Sequence, residues 1–172
     1  MERFWDEIKG GTLAQGDFLP NCPIPLFPAD FGTSTGVSSV TVVLGDLIVM
    51  TQSCDLENKK VILAAMCPIL TIDQLASTES KYRKPETLEE IRKGRYEFLH
   101  MLASPNNPEN NQDVRIVDFR QIFSLPVAFL GTHTVKLETR WRLKSPFLEH
   151  FSQSFARFFM RVGLPSAIPK FK

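Results

Sequence analysis

Two stretches of this chain are apolar at consecutive positions, Leu47–Met50 and Val61–Met66, and a polar turn centred on Glu57-Asn58 separates them. Strands that are apolar at every position are covered on both faces. The pair therefore predicts a central hairpin with a barrel interior on one side and a helix on the other. Folding it symmetrically about the turn sets Ile48 opposite Cys67 and Cys54 opposite Val61. Cys54 and Cys67 are then about 20 Å apart at strand rise.

The covering helix is written into the end of the chain. Phe147, Leu148, Phe151, Phe155, Phe158, Phe159 and Val162 fall on one helical stripe that holds five of the 14 phenylalanines. Ser145 suits the N-cap, Pro146 the first helical position, Gly163 the C-terminal stop, and Pro165 prevents resumption. This predicts a helix over 145–162. Burying one such ring contributes about 1.5–3 kcal/mol, so the stripe is expected to shield the outer side of the hairpin.

Elsewhere the signals are shorter. Phe4, Trp5 and Ile8, followed by Gly10-Gly11, predict a helix over 2–9. Pro20, Pro23 and Pro25 restrict residues 13–27 to an edge strand or extended segment. β-Branched residues over 37–43 lead to a Gly45-Asp46 turn, and helical patterns over 71–76 and 86–93 form an insertion at 71–94 that ends at Gly94. Strand compositions recur at 95–102, 114–119 and 135–143, and residues 104–113 form a polar loop. The sum is a mainly β (α+β) single domain over 1–172, a small SH3-like barrel spanning 13–143 with short helical insertions and the Phe-rich helix packed on its sheet.

Composition narrows the setting. At 172 residues, 43% hydrophobic and 23% charged, the chain supports one packed core. The longest apolar run, residues 61–70, contains Pro68 and is about half the length of a membrane span. The N-terminal residues mix acids and bases without an apolar signal core, so a cytoplasmic protein without membrane attachment is expected. Cys22, Cys54 and Cys67 are an odd number without zinc spacing, which favours free thiols; no metal and no cofactor are expected. Net charge is +1 but uneven: residues 1–131 carry −5 and residues 132–172 carry +6. The basic end suits a phosphate, an acidic partner, or the chain's own acidic half.

Candidate chemistry comes from these placements. Cys54 beside Asp55 could be a nucleophile, with His100, His133 or His150 as its base. A neighbouring carboxylate raises a thiol pKa, however, and a small residue at a buried strand end with Asp55 capping the turn accounts for the pair structurally. Arg140 and Arg142 share a strand face just before the last helix, whose polar stripe holds His150, Gln153, Arg157 and Arg161. Arg140, Arg142, His150, Arg157 and Arg161 therefore form a candidate basic strip for RNA or acidic side chains, or a solvated helix face.

The segments "LIVMTQSCDLENKKVILAAMCPI" and "LKSPFLEHFSQSFARFFMRVGLP" resemble a group of small bacterial proteins with a Thr-Gln-x-Cys-Asp-Leu hairpin and an Arg-Val-Gly-Leu-Pro terminus. The first segment is also distantly similar to the central strands of the PemK/MazF-type toxins, whose fold is an SH3-like barrel. That resemblance implies RNA cleavage by an Arg near the first strands and a later Ser or Thr. Here no Arg lies between Arg3 and Arg83, while Thr51 or Ser53 could stand at the hydroxyl position. The catalytic candidates are thus Thr51, Ser53 and Cys54. Such barrels, deprived of the active site, persist as binding modules. The expectation is a non-catalytic protein-interaction module of a bacterial regulatory or defence complex, with a protein partner; the alternative is an RNA-binding or RNA-cleaving protein of the toxin type.

Overall fold

The two apolar strands pair in the register that symmetrical folding predicts, Ile48 opposite Cys67. They are β3 (Thr41–Val49) and β4 (Leu63–Leu70) in a computed structural model that describes residues 3–32, 39–107 and 109–160. The other described strands are β1 (Trp5–Lys9), β2 (Asp17–Leu26), β5 (Leu99–Leu102), β6 (Arg115–Asp118), β7 (Phe123–Pro126) and β8 (Thr139–Leu143). They join in the order β1-β8-β2-β3-β4-β6-β5, all antiparallel, with β7 also on β4.

This sheet is not the expected barrel. One edge of β4 is divided between two neighbours: β7 pairs with Leu63–Met66 and β6 with Ile69 and Leu70. The sheet therefore forks at β4. Its β5–β6 branch leads to a separate cluster of Leu75, Tyr82, Ile91, Leu99 and Ile116. That cluster is built with α2 (Ile72–Thr78) and α3 (Pro85–Arg92), the two helices expected in the insertion. Thr71 and Gln74 close α2 with a reciprocal capping box. Gly94, at φ 70°, stops α3.

Both faces of the centre are covered, by helices rather than by helix and barrel. On one side Ile48, Cys67 and Ile69 pack with Phe119 and with Phe151 of α5 (Phe147–Phe159). On the other, Leu47, Val49, Ala64 and Met66 pack with Leu56 of α1 (Ser53–Glu57) and Leu130 of α4 (Val127–Lys136). Phe119 is the hub of the first face, with ring centroids 5.9 Å from Phe151 and 5.4 Å from Phe155. The helix starts later than expected: Pro146 takes the N-cap position, and Ser145 precedes it without capping. Arg161, Val162, Gly163 and Pro165 lie outside the described residues.

Three further expectations are corrected. The segment predicted as a helix over 2–9 is the strand β1, paired with β8 from Trp5–Leu143 to Lys9–Thr139. Five residues cannot nucleate a helix alone, whereas an edge position supplies their backbone partners at once. Gly45-Asp46 is not a turn but lies within β3. A Cβ on Gly45 would come 2.7 Å from Ile24 Cδ1, so glycine admits the neighbouring strand here. Val135 belongs to α4, and the strand begins only at Thr139. The β-branched residues of that segment resemble a strand, but Thr134 Oγ1 donates to Gly131 O within the helix and lies against Gly11 O.

Truncating the hub contact tests this layering. Phe151→Ala is expected to cost about 3–5 kcal/mol, because that ring is fully buried. Phe159→Ala, at a ring 54% exposed, should stay within about 0.5 kcal/mol of the wild type; urea unfolding of the two variants measures both.

Candidate functional site

The shoulder of the central hairpin holds the three catalytic candidates, and each is engaged structurally. Thr51 Oγ1 accepts the Ala65 amide at 2.8 Å, continuing the ladder beyond Met50. Ser53 Oγ accepts the Gln15 amide at 3.1 Å, fastening the loop before β2. Cys54 was expected at a buried strand end; instead it lies exposed in α1. Its thiol lies 3.7 Å from Gln52 Oε1 and from Asp55 Oδ1, both hydrogen-bond acceptors. Burial pushes the other two thiols up, Cys22 to about 11 and Cys67 to about 12, the latter aided by the Asp118 charge. Among the described residues no group of three or more His, Cys, Asp or Glu is placed to hold a metal ion.

The basic strip is divided. Arg140 is buried, 3% exposed, and its Nε donates to Asp17 Oδ2 at 2.9 Å while its other nitrogens reach Gly10 O and Thr12 O. Arg142 joins the same carboxylate through Nε and Nη2, and Nη2 also reaches Thr12 O. Two guanidiniums thus share one fully buried carboxylate, which also accepts the Ala14 amide. A buried charge is tolerated when paired and hydrogen-bonded in this way. Strand spacing correctly places both arginines on one face, but that face looks onto Asp17. His150 and Arg157 stand elsewhere, exposed on α5 across from the end of α3. Arg161 lies outside the described residues.

The feature that sequence reading missed is the outer half of the β2–β3 pair. β8 accompanies β2 only at Asp17 and Phe18, and β4 accompanies β3 only at Leu47–Val49. From Cys22–Gly45 to Leu26–Thr41 the two strands pair with no other strand among the described residues and form a two-stranded ribbon. Its register puts Pro23 opposite Leu44 and Pro25 opposite Val42 on one face, while Cys22 and Ile24 turn to the core. Leu44 is 67% and Val42 61% exposed. At the ribbon's end Phe27 and Phe31 touch edge to face at 4.7 Å, both exposed. No Lys or Arg occurs between Lys9 and Lys59. A readable signal existed: Val42-Val43-Leu44 is apolar without alternation, the pattern of a strand with something on both faces, yet nothing among the described residues covers it.

No protein-family model matches the chain, and neither a curated protein nor a solved structure matches it. Among the described residues no helix is long and apolar enough to cross a membrane.

The thiols give a direct check on these placements. In the native protein iodoacetamide is expected to modify Cys54 alone, with Cys22 and Cys67 labelled only after unfolding, as mapped by peptide mass spectrometry. Labelling of Cys67 at the rate of Cys54 would contradict the packing of α5 over β4.

Proposed function

We propose that this chain is a non-catalytic interaction module that holds a protein partner on the outer face of the β2–β3 ribbon. The observation that carries the reading is that uncovered face, Pro23, Pro25, Val42 and Leu44 leading to the Phe27–Phe31 pair. Isolated two-stranded ribbons are marginal in water. Contiguous apolar surface of this kind marks association sites, and exposed aromatics supply the anchors that dominate such interfaces. The lack of cationic side chains over 10–58 fits an apolar protein surface and not a phosphate backbone. Pro23 and Pro25 have no N–H to offer along β2, so a partner strand has β3 as its edge to extend. Membership of a bacterial regulatory or defence complex rests on the sequence resemblance alone.

RNA cleavage of the toxin type has less support. Arg140 is spent on Asp17 and Thr51 on the Ala65 amide, so neither presents a free group to a phosphodiester.

Co-purification from the native host, compared between the wild type and a Phe27→Glu/Leu44→Glu variant, tests the proposal. The wild type should retain one stoichiometric protein that the variant loses, with affinity reduced by more than about 30-fold and the thermal midpoint unchanged. A partner held equally by both would place the interface elsewhere. A monomer that carries no partner would remove the proposal.

A further inference from the structure

Between the end of α3, the strand β5 and the polar face of α5 lies a cleft of about 250 Å³, and a second lobe of about 200 Å³ adjoins it. The lobes share Lys93, Gly94, His100, Ser154 and Arg157. Cationic side chains enter the first lobe from two independent elements, Arg92 and Lys93 from the end of α3 and Arg157 from α5, which also brings the His150 ring. The α5 residues reach it because His150, Gln153, Ser154 and Arg157 succeed one another at helical spacing on the side away from the buried Phe151. Glu89 draws on both Arg92 and Lys93, and Glu97 lines the second lobe, so the cations outnumber the nearby acids.

The floor is an imidazole. His100 lies between the rings of Phe119 and Phe151, at 6.1 and 5.6 Å. Burial pushes it down to about 4, with the adjacent His150 adding to the shift, so near neutral pH it is an uncharged donor and acceptor. His133 makes the one histidine side-chain hydrogen bond among the described residues, to Pro20 O; the ring nitrogens of His100 and His150 have none there. At the end of α3 the amides of Lys93, Gly94 and Arg95 bond the carbonyls of Glu89, Ile91 and Glu90. The second lobe has a different wall, with Tyr96 and Leu99 beside Gly94. One lobe therefore offers cations and unbonded ring nitrogens, the other an aromatic surface.

We propose that this cleft binds a small phosphate monoester, with the phosphate between Lys93, His150 and Arg157 over His100 and the organic part against Tyr96. A compact dianion matches cations arriving from two sides, and the aromatic wall favours a ring-bearing ligand such as a nucleoside monophosphate. The site is separate from the ribbon and stands whether or not that surface holds a protein.

Titration of the labelled protein with inorganic phosphate, adenosine monophosphate and sodium chloride at matched ionic strength, monitored by NMR, tests the assignment. Phosphate should shift the His100 and His150 ring signals and the Gly94 amide. The nucleotide should shift these and Tyr96, and bind more tightly than phosphate. Arg157→Ala should weaken both at least about tenfold, and Arg83→Ala, at an exposed residue outside the cleft, should leave them unchanged. Shifts reproduced by chloride, no shifts at these residues, or a nucleotide no tighter than phosphate would overturn the proposal. An unchanged affinity in a folded Arg157→Ala protein would do so as well.

Discussion

The Asp17 carboxylate, shared between the guanidiniums of Arg140 and Arg142, is the constraint on which the architecture turns. It sits at the first residue of β2 and is reached from β8, two strands that meet only over two residue pairs. Arg140 also reaches back to Gly10 O and Thr12 O, so the loop between β1 and β2 is folded onto the same group. Next to it, Gly16 at φ 80° leaves room that a Cβ would take from Leu148 and Leu143. Leu143 N donates to Gly16 O and Lys144 N to Phe4 O, which carries the fixed position of β8 directly into the start of α5. A network of this kind is costly to desolvate and strongly unfavourable to break by halves.

With β2 and β8 anchored there, the helices cover the sheet unequally. The middle of the sheet lies between α5 on one face and α1 and α4 on the other, and every apolar residue from Leu47 to Met50 is buried there. Beyond Cys22 and Gly45 the same two strands continue with Ile24 still packed into the core on one face and Pro23, Pro25, Val42 and Leu44 uncovered on the other. The basic C-terminal segment divides in a similar way. Arg140 and Arg142 neutralise a buried acid, while His150 and Arg157, carried on the helix that β8 positions, face the end of α3 across His100. The apolar and the cationic surfaces thus belong to different parts of the fold.

Much of the centre was legible from residue patterns. Consecutive apolar positions announced double cover, turn symmetry set Ile48 against Cys67, and the phenylalanine stripe named the covering helix. The failures have physical causes. Phe4, Trp5 and Ile8 fit helical spacing, but tertiary pairing with β8 decided their state. Val135 was assigned by β-branching, whereas the close approach of Gly11, at which a Cβ would come 3.0 Å from Val135 Cγ2, made a helix the element that packs. That the sheet stays open could not be read from strands alone, because it depends on β6 and β7 dividing one edge of β4. The residues of the candidate sites were the least legible. Strand spacing placed Arg140 beside Arg142 but carried no sign that Asp17, over a hundred positions earlier, would occupy both. His100 reads as an ordinary strand residue until the fold brings α5 over it.

The most direct measurement is a mutant cycle on the buried carboxylate, read by urea unfolding. Asp17→Asn is expected to cost about 3–5 kcal/mol, since it leaves two guanidiniums without their counter-charge, and adding Arg140→Met and Arg142→Met should recover most of that loss. A loss under about 1 kcal/mol for Asp17→Asn, or three substitutions whose costs simply add, would show that this ion cluster does not organise the sheet.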